Sequence, residues 1–195
     1  MSIKRNFSLG NYNSFGVKHK ANFFIEIKNK GQINDIINNK KYDKVRKLIL
    51  GGGSNILFTK DYNGIVFLNK IKGIRKISED DNNVLLRVGS GENWDDFVEY
   101  CVKKKYYGLE NLSLIPGSVG AAPIQNIGAY GVEVKNLIER VEGIFLNNGI
   151  KKNFNNKLCE FQYRDSIFKG KLKNKFFITS VDFVLSKIKS FNVSY

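Results

Sequence analysis

Three stretches of this 195-residue chain carry residue types and spacings that chemistry could use. The first is Gly51-Gly52-Gly53-Ser54-Asn55, directly after the apolar run Leu48-Ile49-Leu50. Consecutive glycines let a chain aim its N–H groups at an anion, and the Ser and Asn side chains add donors. The pattern suits a phosphate cradle, and it equally suits a tight strand-to-strand turn. Ile56 stands where a G-x-G-x-x-G fingerprint needs its third glycine, and no Gly-Lys-Ser or Gly-Lys-Thr follows. Neither a Rossmann fingerprint nor a P-loop is present, so a pyrophosphate cradle here would sit on another fold.

The second stretch runs from Gly108 to Gly131 and holds both prolines of the chain, Pro116 and Pro123, together with five glycines. Long irregular stretches in compact domains are usually functional, an Ω-loop being the structural alternative. Small residues here let backbone approach a flat ligand, with Ser118, Gln125, Asn126 and Tyr130 as polar contacts. The third stretch is Tyr163-Arg164-Asp165-Ser166-Ile167-Phe168-Lys169. Arg164 is one of six arginines in a chain that carries 26 lysines. A planar guanidinium suits a bidentate grip on a carboxylate, although a salt bridge to Asp165 or Glu160 is an equal reading from sequence. His19 is the only histidine and lies between two lysines, which argues against a histidine triad or metal site. Cys101 and Cys159 are too few for a disulfide scaffold, and Cys159 without a histidine partner reads as structural.

The elements that must position these stretches are legible in part. Phe23–Ile27, Val45–Leu50, Ile65–Leu68 and Val84–Val88 read as strands, with a short helix through Ile33, Ile36 and Ile37. Trp94, Phe97, Val98, Cys101 and Val102 recur at helical spacing, so a helix is expected over Trp94–Lys104 with Asn93 as its N-cap. Further strands are expected at Val141–Leu146 and over Phe176–Leu185, as one run or as two with a bend. This mixture implies an α+β protein in two lobes, divided near Asn69–Gly73 into residues 1–70 and 71–195.

Composition narrows the class. The 42% hydrophobic and 26% charged residues fit a globular protein. Apolar runs of about four residues are far short of the roughly 20 that span a bilayer as a helix. No apolar signal core follows the basic N-terminus, so a reduced, cytoplasmic protein is expected. The net charge of +14 comes mostly from scattered lysines beside asparagines, the pattern of a solvated face and of A/T-rich coding. A surface tuned for phosphate-bearing ligands is the second reading of that charge. A nucleic-acid reader is the third, because no helix-turn-helix, zinc-finger or RNP pattern is visible.

The three stretches, in order, resemble the hallmark motifs of the UDP-N-acetylenolpyruvoylglucosamine reductase family, flavoenzymes of peptidoglycan precursor synthesis. Asn13-Ser14-Phe15-Gly16 and Gly89-Ser90-Gly91-Glu92-Asn93-Trp94 extend the similarity, and the run Pro123–Gly131 is the most specific. The resemblance implies a two-lobed FAD-binding fold of the vanillyl-alcohol oxidase class, with both lobes gripping the cofactor. It assigns cofactor contacts to Gly51, Gly52, Gly53, Ser54, Asn55, Ile115, Pro116, Gly117, Gly120, Ala121, Ala122, Ile124, Asn126, Gly128 and Tyr130, and a catalytic role to Arg164. It implies NADPH as hydride donor, UDP-N-acetylglucosamine enolpyruvate as substrate, a cytoplasmic monomer, no metal, and no nucleic-acid or membrane partner. Ala121-Ala122 departs from the Ser or Gly common in the family, which removes a hydroxyl contact. The family's C-terminal substrate-binding domain, with its serine proton donor and glutamate, is not in this chain. A C-terminally truncated chain is therefore expected, alone as an FAD-binding fragment or completed by a separate polypeptide. The alternation of Phe191, Val193 and Tyr195 has strand period, as if a strand were cut.

Overall fold

A computed structural model describes residues 2–189. The chain up to Asn69 forms a four-stranded sheet in the order β1-β2-β4-β3, from β1 (Lys4–Ser8), β2 (Lys20–Ile27), β3 (Lys47–Leu50) and β4 (Tyr62–Asn69). β2 and β3 both run parallel to the central β4, and β1 pairs antiparallel with β2. Because β4 is covered on both faces, it is buried along most of its length, as its unbroken Ile65-Val66-Phe67-Leu68 run requires. Helix α1 (Lys30–Ile37) follows β2, and its Asn29 side chain accepts from the Gln32 N–H at 3.1 Å.

From Ile74 onward a five-stranded antiparallel sheet forms in the order β10-β9-β11-β6-β5. Its strands are β5 (Ile74–Glu79), β6 (Asn83–Gly89), β9 (Ile138–Phe145), β10 (Lys151–Asn155) and β11 (Phe176–Ser186). The short ribbon β7 (Gly128–Ala129) and β8 (Val132–Glu133) lies outside it. Helix α2 (Trp94–Lys103) covers one face of this sheet. The Asn93 side chain caps it on the Asp96 N–H, and Asp95 and Asp96 in the first turn complement the helix dipole. Trp94, Phe97, Val98 and Cys101 pack on Val84, Leu86, Val88, Val181 and Phe183, with the Phe97 and Phe183 rings 5.0 Å apart. Burying each large side chain contributes about 1.5–3 kcal/mol. The two sheets meet through Ile33 and Ile36 of α1, which share a cluster with Ile25 and Phe67 on one side and Ile144, Leu146 and Phe177 on the other.

β11 is one continuous strand, the first of the two expected readings, with register shifts against β9 between Ile178 and Ser180 and between Asp182 and Phe183. On the face away from α2, Asp182 is buried and takes Arg87 through both carboxylate oxygens at 2.8 and 2.9 Å. Arg140 adds contacts at 3.0 and 2.6 Å to Oδ2. Burial alone pushes this carboxyl up, but the hydrogen bonds and charges of both arginines outweigh it and hold it below the ordinary value. The alternation through Phe191, Val193 and Tyr195 lies outside the described residues.

Candidate functional site

β3 delivers the chain into the Gly51–Asn55 turn at the junction of the two sheets. A Cβ on Gly51 would lie 2.6 Å from Ser118 Oγ, and one on Gly52 would lie 3.2 Å from Gly117 Cα. The glycine turn therefore rests on the Ser118 side chain at Gly51 and on the Gly117 backbone at Gly52, an approach that side chains would block. Ser54 Oγ donates to the Pro116 carbonyl at 3.2 Å, and Asn55 Nδ2 donates to Gln125 Oε1 at 3.0 Å. These bonds clasp the turn to the long loop.

That loop is fixed from behind by the turn that enters α2. Gly120 N donates to the Ser90 carbonyl at 2.8 Å, Val119 N to Glu92 at 3.0 Å, and Trp94 N to Gly117 at 3.1 Å. A Cβ on Gly120 would meet Ser90 Cβ at 2.6 Å. The buried Trp94 indole donates to the Leu112 carbonyl at 2.7 Å, which anchors the loop's first turn. The Gly/Pro/Ala composition thus follows from packing one backbone on another.

Between turn and loop lies a cavity of about 250 Å³, continued by a second of about 260 Å³ that shares Ile49, Gly51, Asn55, Ser118, Ala121, Ile124 and Lys169. The first is lined by Gly51, Gly52, Gly53, Ser54, Asn55, Ile115, Pro116, Gly117, Ala121, Ala122 and Ile124, all expected from sequence. Gly120 lines the second. Among the described residues, no protein acceptor takes the backbone N–H groups of Gly52, Gly53, Ser54 or Asn55. Such a row of open donors beside an apolar wall of Ile115, Ala122, Ile127 and Trp94 fits a ligand with a diphosphate and a flat ring, which is the chemistry of FAD.

The other expected residues lie elsewhere. Asn126 is buried, with Nδ2 on Glu133 Oε1 at 3.0 Å and on the Gln162 carbonyl at 2.9 Å, while Oδ1 accepts from Lys135 N at 3.1 Å. Its amide holds loops together and does not line either cavity. Gly128, Tyr130 and Arg164 line a separate depression over the β7–β8 ribbon, together with Tyr163 and Glu133. Arg164 sits at φ +53, donates from Nη2 to the Gly128 carbonyl, and lies over the Tyr163 ring at 5.5 Å. Glu160 is engaged by Lys171 at 2.8 Å.

Lys169, Trp94, Ile56 and Ile127 line the first cavity without having been singled out as contacts. Lys169 belongs to the same seven-residue stretch as Arg164, which is the signal that could have marked it. Cys159 is fully buried, and burial pushes its thiol up to about 12, so it is no nucleophile. His19 pairs with Asp61 at 3.1 Å. Among the described residues no group of three or more His, Cys, Asp or Glu could hold a metal ion, and no helix is long and apolar enough to cross a membrane.

A profile of the FAD binding domain family matches residues 21–150. A UDP-N-acetylenolpyruvoylglucosamine reductase of Amoebophilus asiaticus is 46% identical over the whole chain, which covers 58% of that relative. The crystal structure of UDP-N-acetylenolpyruvylglucosamine reductase from Thermus caldophilus superposes with a TM-score of 0.73 at 23% identity, over 95% of this chain and 62% of that one. p-Cresol methylhydroxylase with substrate bound superposes with a TM-score of 0.58 at 17% identity, over 93% of this chain and 38% of that one. Both structural likenesses speak for the fold. The chain spans a little under three fifths of the curated relative's length.

Proposed function

Because the chain belongs to the FAD binding domain family, we propose that it holds FAD between the glycine turn and the Ile115–Ile127 loop as the cofactor-binding part of a UDP-N-acetylenolpyruvoylglucosamine reductase. In this reading residues 1–70 and 71–195 are the two lobes that grip the dinucleotide. The observation that carries it is the cavity itself, lined both by a close-packed glycine turn whose N–H groups have no protein acceptor among the described residues and by apolar side chains.

Bound there, FAD supplies hydride transfer between NADPH and the enolpyruvyl double bond of UDP-N-acetylglucosamine enolpyruvate. The chain's own groups do the placing. The N–H groups of Gly52 to Asn55 bind the diphosphate, and Ile115, Ala122, Ile127 and Trp94 keep water from the ring. Arg164 uses one donor on the Gly128 carbonyl and has four left for a carboxylate. As hydride adds to one alkene carbon, negative charge builds toward the substrate carboxylate, and a preplaced guanidinium stabilises that charge most in the transition state. The proton that completes the other carbon comes from the part of the relatives that lies outside the match. In the second reading the chain binds FAD without turnover of its own. The protein works as a cytoplasmic monomer or with a second polypeptide.

The test joins this chain to the unmatched part of the Amoebophilus asiaticus relative and follows NADPH consumption. Consumption should require the enolpyruvyl sugar, be absent from the 195-residue chain alone, and fall about 10- to 100-fold in kcat in Arg164→Lys, which keeps the charge and loses the fork. An Arg164→Lys enzyme with wild-type turnover would refute the role given to Arg164.

A further inference from the structure

Two adjoining cavities flank the glycine turn, and one cationic residue lines both. Lys169 lines the first together with Ser54 and Pro116, and the second together with Gly51 and Asn55. Among the described residues it is the sole charged one lining the first cavity, Lys173 is the only other in the second, and no carboxylate lines either. The position of Lys169 is set by its neighbours: Phe168 is buried, Lys169 N donates to the Ser166 carbonyl at 3.1 Å, and Nζ donates to the Arg164 carbonyl at 2.7 Å.

An ammonium has three donors, and the Arg164 carbonyl takes one. A neutral carbonyl orients the group without cancelling its charge. An uncompensated cation and a row of open backbone donors on one cavity call for an anion, and a compact ammonium suits a phosphate better than a planar ring. We propose that Lys169 is the cationic contact for the diphosphate held at the glycine turn. The contact also ties the cavity to Arg164, because the same ammonium holds the backbone of a residue at φ +53. The proposal rests on the FAD reading above.

The experiment titrates the full chain, Lys169→Met and Lys169→Arg with FAD and with riboflavin, by flavin fluorescence at low and high KCl. A charge-assisted contact predicts that Lys169→Met binds FAD about 10- to 100-fold more weakly. Its FAD affinity should also depend less on salt than the wild type's. Riboflavin, which has no phosphate, should bind both alike, and Lys169→Arg should retain most of the FAD affinity. Unchanged FAD affinity in Lys169→Met overturns the proposal, as do equal losses for FAD and riboflavin, which would make Lys169 a loop strut. If riboflavin binds too weakly to measure, an unchanged salt dependence in Lys169→Met overturns it. A wild-type chain that fails to bind FAD removes the FAD reading and this proposal together, whereas tight wild-type binding with an indifferent variant removes this one alone.

Discussion

Gly53→Ala isolates the packing of the glycine turn from its backbone conformation. Gly53 sits at φ +73, and a Cβ there would stand 2.1 Å from the Tyr12 carbonyl oxygen and 2.8 Å from its carbon. The conformational part costs about 1–2 kcal/mol for an L-residue. The steric part needs a backbone shift of about 1 Å against a turn that Ser14 N already fastens to the Gly53 carbonyl at 3.1 Å. Forced shifts of this kind cost about 1–3 kcal/mol. Together about 3 kcal/mol is expected, which for a chain of this length lowers Tm by about 6–12 °C. Gly16 provides the control, since it lies at φ +64 with nothing within 4 Å of its would-be Cβ. Gly16→Ala should therefore show the conformational part alone, about 2–8 °C and less than Gly53→Ala. Thermal unfolding of the two variants followed by circular dichroism decides it. Equal Tm shifts would show that the Tyr12 contact does not restrain the turn.

Asp182→Asn leaves Arg87 and Arg140 facing a neutral partner in the middle of the sheet, and a loss of about 3–5 kcal/mol in urea unfolding at pH 7 is expected. The Asp182 carboxyl titrates below its ordinary 3.8, so its stabilisation is present above that value and lost as pH falls through the lower folded one. The gap between wild type and Asp182→Asn should thus narrow below pH 3.8, and a constant gap contradicts the charge argument. Burial pushes the Cys159 thiol up to about 12 and the Cys101 thiol higher still. A thiol reagent at mildly alkaline pH should label neither cysteine in the native chain and both in denaturant; rapid native labelling contradicts the packing.

How far the sequence reveals this molecule depends on burial. β4 and α2 announce themselves because a run buried on both faces and a helix with one apolar stripe leave direct periodic marks. β1, β5 and β10 pass unnoticed because they are edge strands, where Lys4-Arg5, Arg75-Lys76 and Lys151-Lys152 blunt open pairing and erase the alternation. At the site, the glycine turn and the Pro/Ala loop are legible as composition, since backbone packed on backbone excludes side chains. The partners of the Asn126 amide are not legible in sequence, because they lie 7 to 36 positions away on neighbouring loops. Lys169 is one lysine among 26, marked in sequence only by its place in the Tyr163–Lys169 stretch, and the fold brings it to the cavity. The Arg87–Asp182–Arg140 group is hidden likewise, because its members lie on three strands 42 to 95 residues apart.

The central claim is that FAD occupies the cavity between glycine turn and long loop. Flavin fluorescence titration of the 195-residue chain beside Gly52→Val tests it most directly. A Cβ on Gly52 would already lie 3.2 Å from Gly117 Cα, so a valine must either fill the cavity or part the two loops. The account predicts saturable one-to-one binding to the wild type at about micromolar affinity, roughly 8 kcal/mol, and loss of that binding in a folded Gly52→Val chain. No saturation of the wild type by about 100 µM FAD, or equal binding by a folded Gly52→Val chain, would contradict it.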